Sequence, residues 1–430
     1  MTRMKDSGIE WIGEVPEDWG GGNLKYYFDV QLGKMLQPSA INGNDIEIDY
    51  LRAINVQWDN ISVENLSKMW CNPSEVGKYE IKNGDLLVCE GGEVGRCGIV
   101  EHLSDRAIIQ NAVHRIRPTE KADVRFLNYY IQHTTKSKWF DILCNKATIA
   151  HLTSEKLLNT SVVLPSISEQ SQIADFLDKK VAQLDKVKSL LEEQIKTLED
   201  YRQSLIYETV TKGLDKTVPL KDSGVDWIGQ IPEGWGTGKI KYYAEISAGS
   251  TPDRTNELFW NGDIPWMVSG EVNQGVVTHT AEKITKLGLR NTSTKLLSKG
   301  TVMLALNGQG KTKGTAAILN IETASNQSLA SFDVNNEVVN GYYLYYYFVA
   351  NYSNIRGLKG EDRDGLNLKL VSNIEIPLPN IDEQLKIADF LDKKTEQINQ
   401  MIAIKKEQIE NINKQRQILI YDYVTGKRRV

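Results

Sequence analysis

The sequence predicts an α+β protein, α/β-like in its mixture of short strands and helices, in which one plan is written twice. Three observations support this prediction. The chain has 430 residues, enough for two to four modules that each bury a core. Two long sequence blocks recur at nearly constant spacing. Each half ends in a segment with apolar residues every seven positions, which is typical of a coiled-coil helix.

The first repeat opens each half. MKDSGIEWIGEVPEDWG at residues 4–20 matches LKDSGVDWIGQIPEGWG at residues 220–236 at eleven of seventeen positions, a shift of 216. The same shift aligns GDLLVCEGGEVGRCG at 84–98 with GTVMLALNGQGKTKG at 300–314. Glycines 84, 92 and 98 then fall on glycines 300, 308 and 314. The residues between these glycines differ, as we expect of recognition loops on a shared frame.

The GKT string at residues 310–312 resembles the end of a phosphate-binding loop. That pattern needs a glycine five residues before Gly310, and the position is Ala305. In the aligned first copy GKT corresponds to Gly95, Arg96 and Cys97, which have no such character. We therefore expect both glycine-rich segments to be tight strand-to-strand loops that need positive φ.

The second repeat predicts two long helices. LPSISEQSQIADFLDKK at 164–180 matches LPNIDEQLKIADFLDKK at 378–394 at thirteen of seventeen positions, a shift of 214. Ser166 and Asn380 stand at N-cap positions, with a glutamate three residues later. No proline or glycine interrupts residues 168–211 or 382–424, so each helix spans about 65 Å. In the first helix leucines recur every seven residues, at Leu177, Leu184, Leu191, Leu198 and Leu205. This heptad spacing favours a coiled coil, and the alternative is two amphipathic helices packed on their own domains.

The two repeats divide the chain into four segments. We expect a first domain at 1–165, a long helix at 166–214, a second domain at 215–379 and a second long helix at 380–430. Within the domains, runs such as GDLLVC and GTVMLAL read as strands and VRFLNYYIQ as a helix. This mixture predicts small domains with strongly twisted sheets. Four tryptophans recur unchanged and are predicted core anchors: Trp11, Trp19, Trp227 and Trp235.

Composition argues against several classes of function. The net charge of −5 makes the whole chain a poor non-specific polyanion binder, so DNA contact would be confined to one face and helped by a partner. The four cysteines form no CxxC pair and the five histidines are scattered, so no metal site is predicted. No repeated catalytic grouping and no NPPY-type methyltransferase tetrapeptide occurs, so catalysis is not expected. Without a long apolar run, the protein is expected in the cytoplasm, away from the membrane.

Two similar but non-identical heads on rods of fixed length suggest a function. Such pseudo-twofold objects bind two half-sites on a DNA duplex at a set separation, and differing heads give an asymmetric bipartite site. The alternative is a coiled-coil adaptor whose duplicated heads bind proteins instead of DNA. Salt dependence distinguishes them, because counterion release weakens DNA binding steeply as ionic strength rises.

Candidate base-reading residues were chosen where the frame matches and the side chains differ. Arg and Lys suit guanine, Asn and Gln suit adenine, and Ser or Thr suit either. Three regions qualify in each half, and they supply Lys34, Gln57, Glu93, Arg96, Lys146, Thr148 and His151, then Thr251, Arg254, Ser269, Asn273, Gln309, Lys311, Lys313, Lys359, Arg363 and Asn367. His114 and Arg115 lie in an alternating strand, so one of them is expected to face solvent.

The order of these blocks resembles the specificity subunit of a type I restriction-modification enzyme. The similarity covers the whole plan: variable domain, LPSISEQSQIADFLDKK helix, WIGQIPEGW re-entry, second variable domain and LPNIDEQLKIADFLDKK helix. It implies two target recognition domains that read double-stranded DNA in the major groove. It further implies an antiparallel coiled coil that serves as a ruler and docks two modification (methyltransferase) subunits.

The same resemblance assigns the chemistry to partners. The methyltransferase subunits bind S-adenosylmethionine and methylate adenine. Two further restriction subunits supply ATP- and Mg-dependent translocation and cleavage. The specificity chain itself is then expected to have no active site and no cofactor of its own.

Overall fold

A computed structural model describes residues 3–144, 151–358 and 365–430. The chain divides into two compact units. Unit 1 holds Met1–Leu191 and Glu407–Val430, and unit 2 holds Glu192–Lys406. Each unit therefore contains one repeat of the variable region together with a part of each long helix. Within the described ranges, none of the helices contains an apolar stretch that could span a lipid bilayer.

Unit 1 alternates short strands with a few helices. Its elements are β1 (Met4–Asp6), β2 (Glu14–Pro16), β3 (Gly20–Asn23), β4 (Phe28–Leu32), β5 (Ile46–Leu51), β6 (Val56–Gln57), β7 (Asn60–Ile61), β8 (Ser67–Cys71), α1 (Pro73–Tyr79), β9 (Leu86–Cys89), β10 (Cys97–Ile99), β11 (Ala107–Ile109), β12 (Val113–Pro118), α2 (Val124–Lys136), α3 (Trp139–Leu143), α4 (Ser154–Leu158), β13 (Ser161–Leu164) and the long helix α5 (Ile167–Lys212), which continues into unit 2.

Unit 2 repeats this order. Its further elements are β14 (Leu220–Asp222), β15 (Gln230–Pro232), β16 (Gly236–Lys239), β17 (Ala244–Ala248), β18 (Trp260–Met267), β19 (Val276–Val277), β20 (Glu282–Ile284), α6 (Lys286–Arg290), β21 (Val302–Ala305), β22 (Ala316–Leu319), β23 (Ala324–Ser325), β24 (Leu329–Val334), α7 (Gly341–Ala350), α8 (Tyr352–Gly357), α9 (Leu368–Ser372), β25 (Glu375–Leu378) and the long helix α10 (Ile381–Val424), which continues into unit 1.

The same sheet occurs in both units. Unit 1 has the antiparallel order β10-β9-β12-β4, and unit 2 has β22-β21-β24-β17 with β19 added in parallel beside β22. A second, three-stranded sheet lies in each, β11-β5-β8 and β23-β18-β20, and both contain one parallel pair. The predicted α+β duplication is confirmed. The order of the strands in the sheets could not be predicted from the sequence.

The long helices begin at the predicted caps. The Glu169 amide donates to Ser166 Oγ at 3.3 Å, and the Glu383 amide donates to Asn380 Oδ1 at 3.0 Å. The glutamate carboxylates bind elsewhere: Glu169 pairs with Arg429, and Glu383 accepts the Trp235 indole N–H at 3.1 Å. The first turn of α5 is thus bound to Arg429, which follows α10.

The two helices run antiparallel within each unit. In unit 1 the rings of Phe176 and Tyr423 lie 4.6 Å apart, and Arg416 Nε lies 3.6 Å from Asp185 Oδ1 further along. In unit 2 Arg202 pairs with Asn399 and Gln194 pairs with Lys405, so residue numbers again rise along one helix as they fall along the other. The heptad leucines face inward, with Leu177 fully buried and the other four half-buried.

Each core joins the variable region to the ends of the helices. In unit 1 Trp19 and Phe126 pack with Leu177 of α5 and Val424 of α10. In unit 2 the corresponding cluster holds Trp235 and Tyr343 with Val210 of α5 and Leu391 of α10. Trp19 and Trp235 are buried anchors, as predicted, whereas Trp11 and Trp227 are half-buried against the clusters.

The prediction that His114 or Arg115 faces solvent is wrong. Both are buried in β12, because the strand lies between β4 and β9 and is covered on both faces. His114 Nε2 lies 2.7 Å from the Leu152 carbonyl, and Arg115 donates to the Lys78 and Glu80 carbonyls at 3.0 and 2.6 Å. The four cysteines are also buried, as free thiols.

Candidate nucleic-acid interface

A hairpin loop that leaves one of the inner strands of the larger sheet marks the candidate surface of each unit. In unit 1 it connects β9 to β10, and the Cys89 amide closes it by donating to the Arg96 carbonyl at 2.8 Å. In unit 2 it connects β21 to β22, closed by the Ala305 amide and the Thr315 carbonyl at 3.0 Å. The glycine-rich segments are strand-to-strand loops, as the sequence predicted.

The sequence alignment of these loops needs a correction. Gly95 and Gly314 are the equivalent residues: their amides donate back to Cys89 and Ala305, and their φ angles are +81° and +84°. Gly98, predicted to match Gly314, lies within β10 instead. Unit 2 therefore has three extra loop residues, and its GKT string falls in this longer loop rather than on Gly95, Arg96 and Cys97.

The turn that enters the central strand joins the loop to the first candidate region. In unit 1 the Asn111 amide donates to the Lys34 carbonyl at 2.9 Å, and the Glu90 amide donates to the Ala112 carbonyl at 3.0 Å. Unit 2 has the equivalent bond from Leu306 to Ser328 at 2.8 Å. Thr251 Oγ1 also donates there, to Gln327 Oε1 at 2.6 Å.

The third candidate region lies against the foot of the loop. The Leu152 amide donates to the Glu90 carbonyl at 2.8 Å, and the Leu366 amide donates to the Leu306 carbonyl at 3.2 Å. His151 is exposed beside the loop, while Asn367 caps α9 through the Leu370 amide at 2.9 Å. Four predicted residues of this region, Lys146, Thr148, Lys359 and Arg363, lie outside the described ranges.

Several predicted cations are already paired within the protein. Lys34 Nζ lies 2.8 Å from Glu75 Oε2, and this carboxylate raises the pKa of the lysine. Arg254 binds Glu282 with two bonds of 2.6 and 2.9 Å, stacks 4.0 Å over the Trp260 ring, and lowers the pKa of Glu282. The carboxylates were missed in the sequence because they lie 41 and 28 residues away without any motif.

Two loop residues of unit 1 also bind internally. Arg96 donates to the Ala53 carbonyl at 2.9 Å and lies 3.3 Å from Glu93, which in turn accepts the Trp58 indole N–H at 2.8 Å. Gln57 is exposed and its amide donates to the Ile54 carbonyl at 2.8 Å. Arg96 thus holds the loop against the 53–58 segment, and only part of its side chain faces solvent.

The longer loop of unit 2 leaves more polar side chains at the surface. Gln309 and Lys311 are exposed, and Lys313 is half-buried. Their backbone is held from below, since the Tyr352 hydroxyl donates to the Lys311 carbonyl at 2.9 Å and Arg356 donates to the Lys313 carbonyl at 3.0 Å. Ser269 and Asn273 lie on the 3₁₀ turn Ser269–Gln274, where Asn273 is exposed.

Comparison with known proteins gives the family. The sequence model of the type I restriction modification DNA specificity domain matches residues 16–199 and again residues 232–412. Two relatives from Methanocaldococcus jannaschii are similar over nearly their full length: the putative type I restriction enzyme MjaX specificity subunit at 24% identity over 97% of this chain and 96% of that protein, and the MjaVIII specificity subunit at 25% over 97% and 94%.

A solved structure from a study of complex assembly in a type I R-M system has a similar fold. It superposes with a TM-score of 0.74 at 17% identity, over 96% of this chain and 99% of that one. The two matched regions together span far more than half of the sequence, one in each half. The chain therefore belongs to the type I restriction modification DNA specificity domain family.

Proposed function

We propose that this chain is the specificity subunit of a type I restriction-modification complex and reads the two halves of a bipartite, asymmetric DNA sequence. One observation supports this above the others. The same backbone bonds hold the hairpin loop, the entry turn and the third region together in both units, while the exposed side chains and the loop length differ. Shared positioning with different chemistry is what two half-sites of different sequence require.

The proposal assigns the reading heads to the variable regions. Residues 1–165 and 215–379 are the target recognition domains, and residues 166–214 and 380–430 are the long helices that carry them. Among the candidate residues, those with exposed polar groups on the loops contact bases directly. Lys34 and Arg254 contact DNA by exchanging Glu75 and Glu282 for phosphate or guanine, at the cost of an existing ion pair.

The chemistry belongs to other subunits in this proposal. The chain binds double-stranded DNA and docks two modification and two restriction subunits in the cytoplasm. S-adenosylmethionine, ATP and Mg are cofactors of those partners. The protein-binding adaptor is not supported, because a DNA specificity model matches both halves and the relatives are named as specificity subunits.

Selection from a randomised duplex library tests this function. The purified chain, with and without a co-expressed modification subunit, is incubated with the library at 50 and 200 mM salt. We expect enrichment of one split, asymmetric motif, and we expect affinity to fall by orders of magnitude at the higher salt if six or more phosphates are contacted. Absence of any enriched motif in the assembled complex would contradict the proposal.

A further inference from the structure

The foot of the hairpin loop forms an equivalent slot in both units. On the loop side it is lined by Gly91 in unit 1 and Asn307 in unit 2. On the side of the third region it is lined by His151 in unit 1 and Gly365 in unit 2. The slot is built by the Leu152 to Glu90 and Leu366 to Leu306 backbone bonds described above. The loop residues are 216 apart and the others 214, the shifts of the two repeats.

The two units fill this slot from opposite sides. A Cβ atom on Gly91 would lie 3.5 Å from His151 Nδ1, so the imidazole ring lies in van der Waals contact range over this glycine. A Cβ atom on Gly365 would lie 2.8 Å from Asn307 Oδ1, so the carboxamide occupies the room that a residue here would need. Neither glycine has a left-handed φ, so the backbone would accept a side chain. In each unit a side chain on one wall lies over a glycine on the other wall, and the wall that carries the side chain is reversed between the units.

Both slot side chains are presented to solvent. His151 and Asn307 are exposed, and no hydrogen bond within the described ranges ties the imidazole or the carboxamide to another group. Arg96 and Arg254, by contrast, each bind a carboxylate of their own unit. The slot thus holds an uncommitted donor and acceptor on a backbone fixed by hydrogen bonds, which is the arrangement that direct readout favours.

We infer that this slot holds one specificity-determining side chain per half-site, His151 for the first and Asn307 for the second. The inference rests on the proposed function. The Asn307 carboxamide offers one donor and one acceptor in one plane, which matches N7 and the N6 amino group of adenine in the major groove. His151 offers an imidazole N–H to a purine acceptor. Asn307 escaped the sequence comparison because its aligned partner is a glycine.

Single substitutions in the assembled complex test the assignment. Asn307→Asp keeps the shape and removes the donor, so we expect roughly 5- to 100-fold less discrimination for adenine at one position of one half-site. His151→Asn should change the preference at one position of the other half-site. Asn291→Asp and His102→Asn, both exposed and away from the slot, are matched controls that should select the wild-type motif.

Reciprocal exchange gives a second readout. Gly91→Asn combined with His151→Gly builds the unit 2 slot in unit 1, and we expect the first half-site to acquire an adenine at the position that His151 read. Gly91→Asn alone crowds the slot and should weaken binding to every sequence. The double variant should recover affinity, which a loss of folding would not allow.

Two failures remain distinguishable. If the wild-type complex enriches no split motif, the proposed function itself is wrong. If the wild-type motif appears but Asn307→Asp and His151→Asn both select it unchanged, the slot does not determine specificity and the inference is overturned. Changes that spread over both half-sites for either variant would overturn it too, because one slot serves one half-site.

Discussion

Arg416 and Arg202 occupy equivalent positions on the two long helices, yet their partners differ. Arg416 is buried and bound by Asp59, Asp185 and Gln132. In unit 2 the residues equivalent to the two aspartates are Gly275 and Asn399, and Arg202 binds Asn399. Asp59 adopts φ +61° and Gly275 +69°, so the aspartate accepts a conformation that favours glycine. Arg416 and Gln132 both bind the Asp59 carboxylate in this conformation.

Replacing the two arginines should therefore have unequal effects. Arg416→Gln leaves the half-exposed carboxylates of Asp59 and Asp185 without their cation, and we expect the free energy of unfolding of unit 1 to fall by about 1–3 kcal/mol. Arg202→Gln, the matched control, loses a neutral partner and should cost unit 2 less than about 1 kcal/mol. Amide hydrogen exchange of α2 and α7 measures the units separately. Equal losses would show that the carboxylates contribute little.

His133 makes unit 1 sensitive to acid. Its ring packs between Trp11 and Tyr421, and this burial, helped by nearby Lys136, lowers the pKa of the imidazole to about 4. An unfolded histidine binds a proton near pH 6.5. Stability from neutral His133 is therefore complete above about pH 6.5 and is lost as the pH falls towards 4.

A phenylalanine at this position should remove that part of the pH dependence. His133→Phe keeps an aromatic ring between the same neighbours, and the phenylalanine side chain does not titrate. We expect the melting temperature of the variant to fall less than that of the wild type between pH 7 and pH 5. The equivalent residue in α7 is Ala350, which does not titrate, so this position adds no pH dependence to the stability of unit 2. Parallel pH curves for the two proteins would mean that other groups govern the acid sensitivity.

Both long helices are followed by a left-handed glycine that fits against a tryptophan. Gly213 has φ +72° and lies against Trp235, and Gly426 has φ +69° and lies against Trp19 and Pro16. An αL glycine is a common helix terminator because it lacks the Cβ clash. Here the missing Cβ also lets the tryptophan pack, so cap and core depend on the same residue.

Alanine at these glycines should destabilise the unit that each one completes. Gly426→Ala would direct its Cβ into Pro16, and we expect a loss of more than about 1 kcal/mol from the left-handed strain alone. Gly213→Ala should do the same in unit 2, against Trp235. Gly77→Ala lies in α1 with open space around it and should be neutral or slightly stabilising, as a control. Urea unfolding followed by tryptophan fluorescence measures all three.

Unit 1 is completed by residues that are far away from it in sequence. Ile420 and Val424 of α10 belong to its core, and Arg429 pairs with Asp18 and Glu169. Unit 2 needs no such return, because α5 enters it directly before β14. The stability of the first variable region therefore depends on the last 24 residues.

Removal of residues 407–430 tests this dependence. We expect the shortened chain to lose protection from hydrogen exchange throughout β1–β13, since the apolar face of α2 and the Trp19 pocket become exposed to water. Strands β16–β25 should keep most of their protection. A first variable region that stays fully protected without α10 residues would contradict the shared core.

The duplication, the two long helices with their caps, and the position of the glycine-rich loops could all be predicted from the sequence. These features depend on local patterns: repeats, heptads, an N-cap followed by glutamate, and glycines at turns. The features that depend on contacts between distant residues came only from the folded structure. It set the strand order, buried both His114 and Arg115 within a covered strand, and paired Lys34 and Arg254 with carboxylates.

It also changed the alignment of the two loops. Gly98 matches Gly314 in a gapless comparison, but backbone hydrogen bonds make Gly95 the equivalent residue. The sequence alone cannot show this, because an insertion of three residues can be aligned at any position in the loop between the two matched strands. The slot of each unit, with His151 in unit 1 and Asn307 in unit 2, is hidden for a different reason: its two walls come from segments about 60 residues apart, and only folding brings them together.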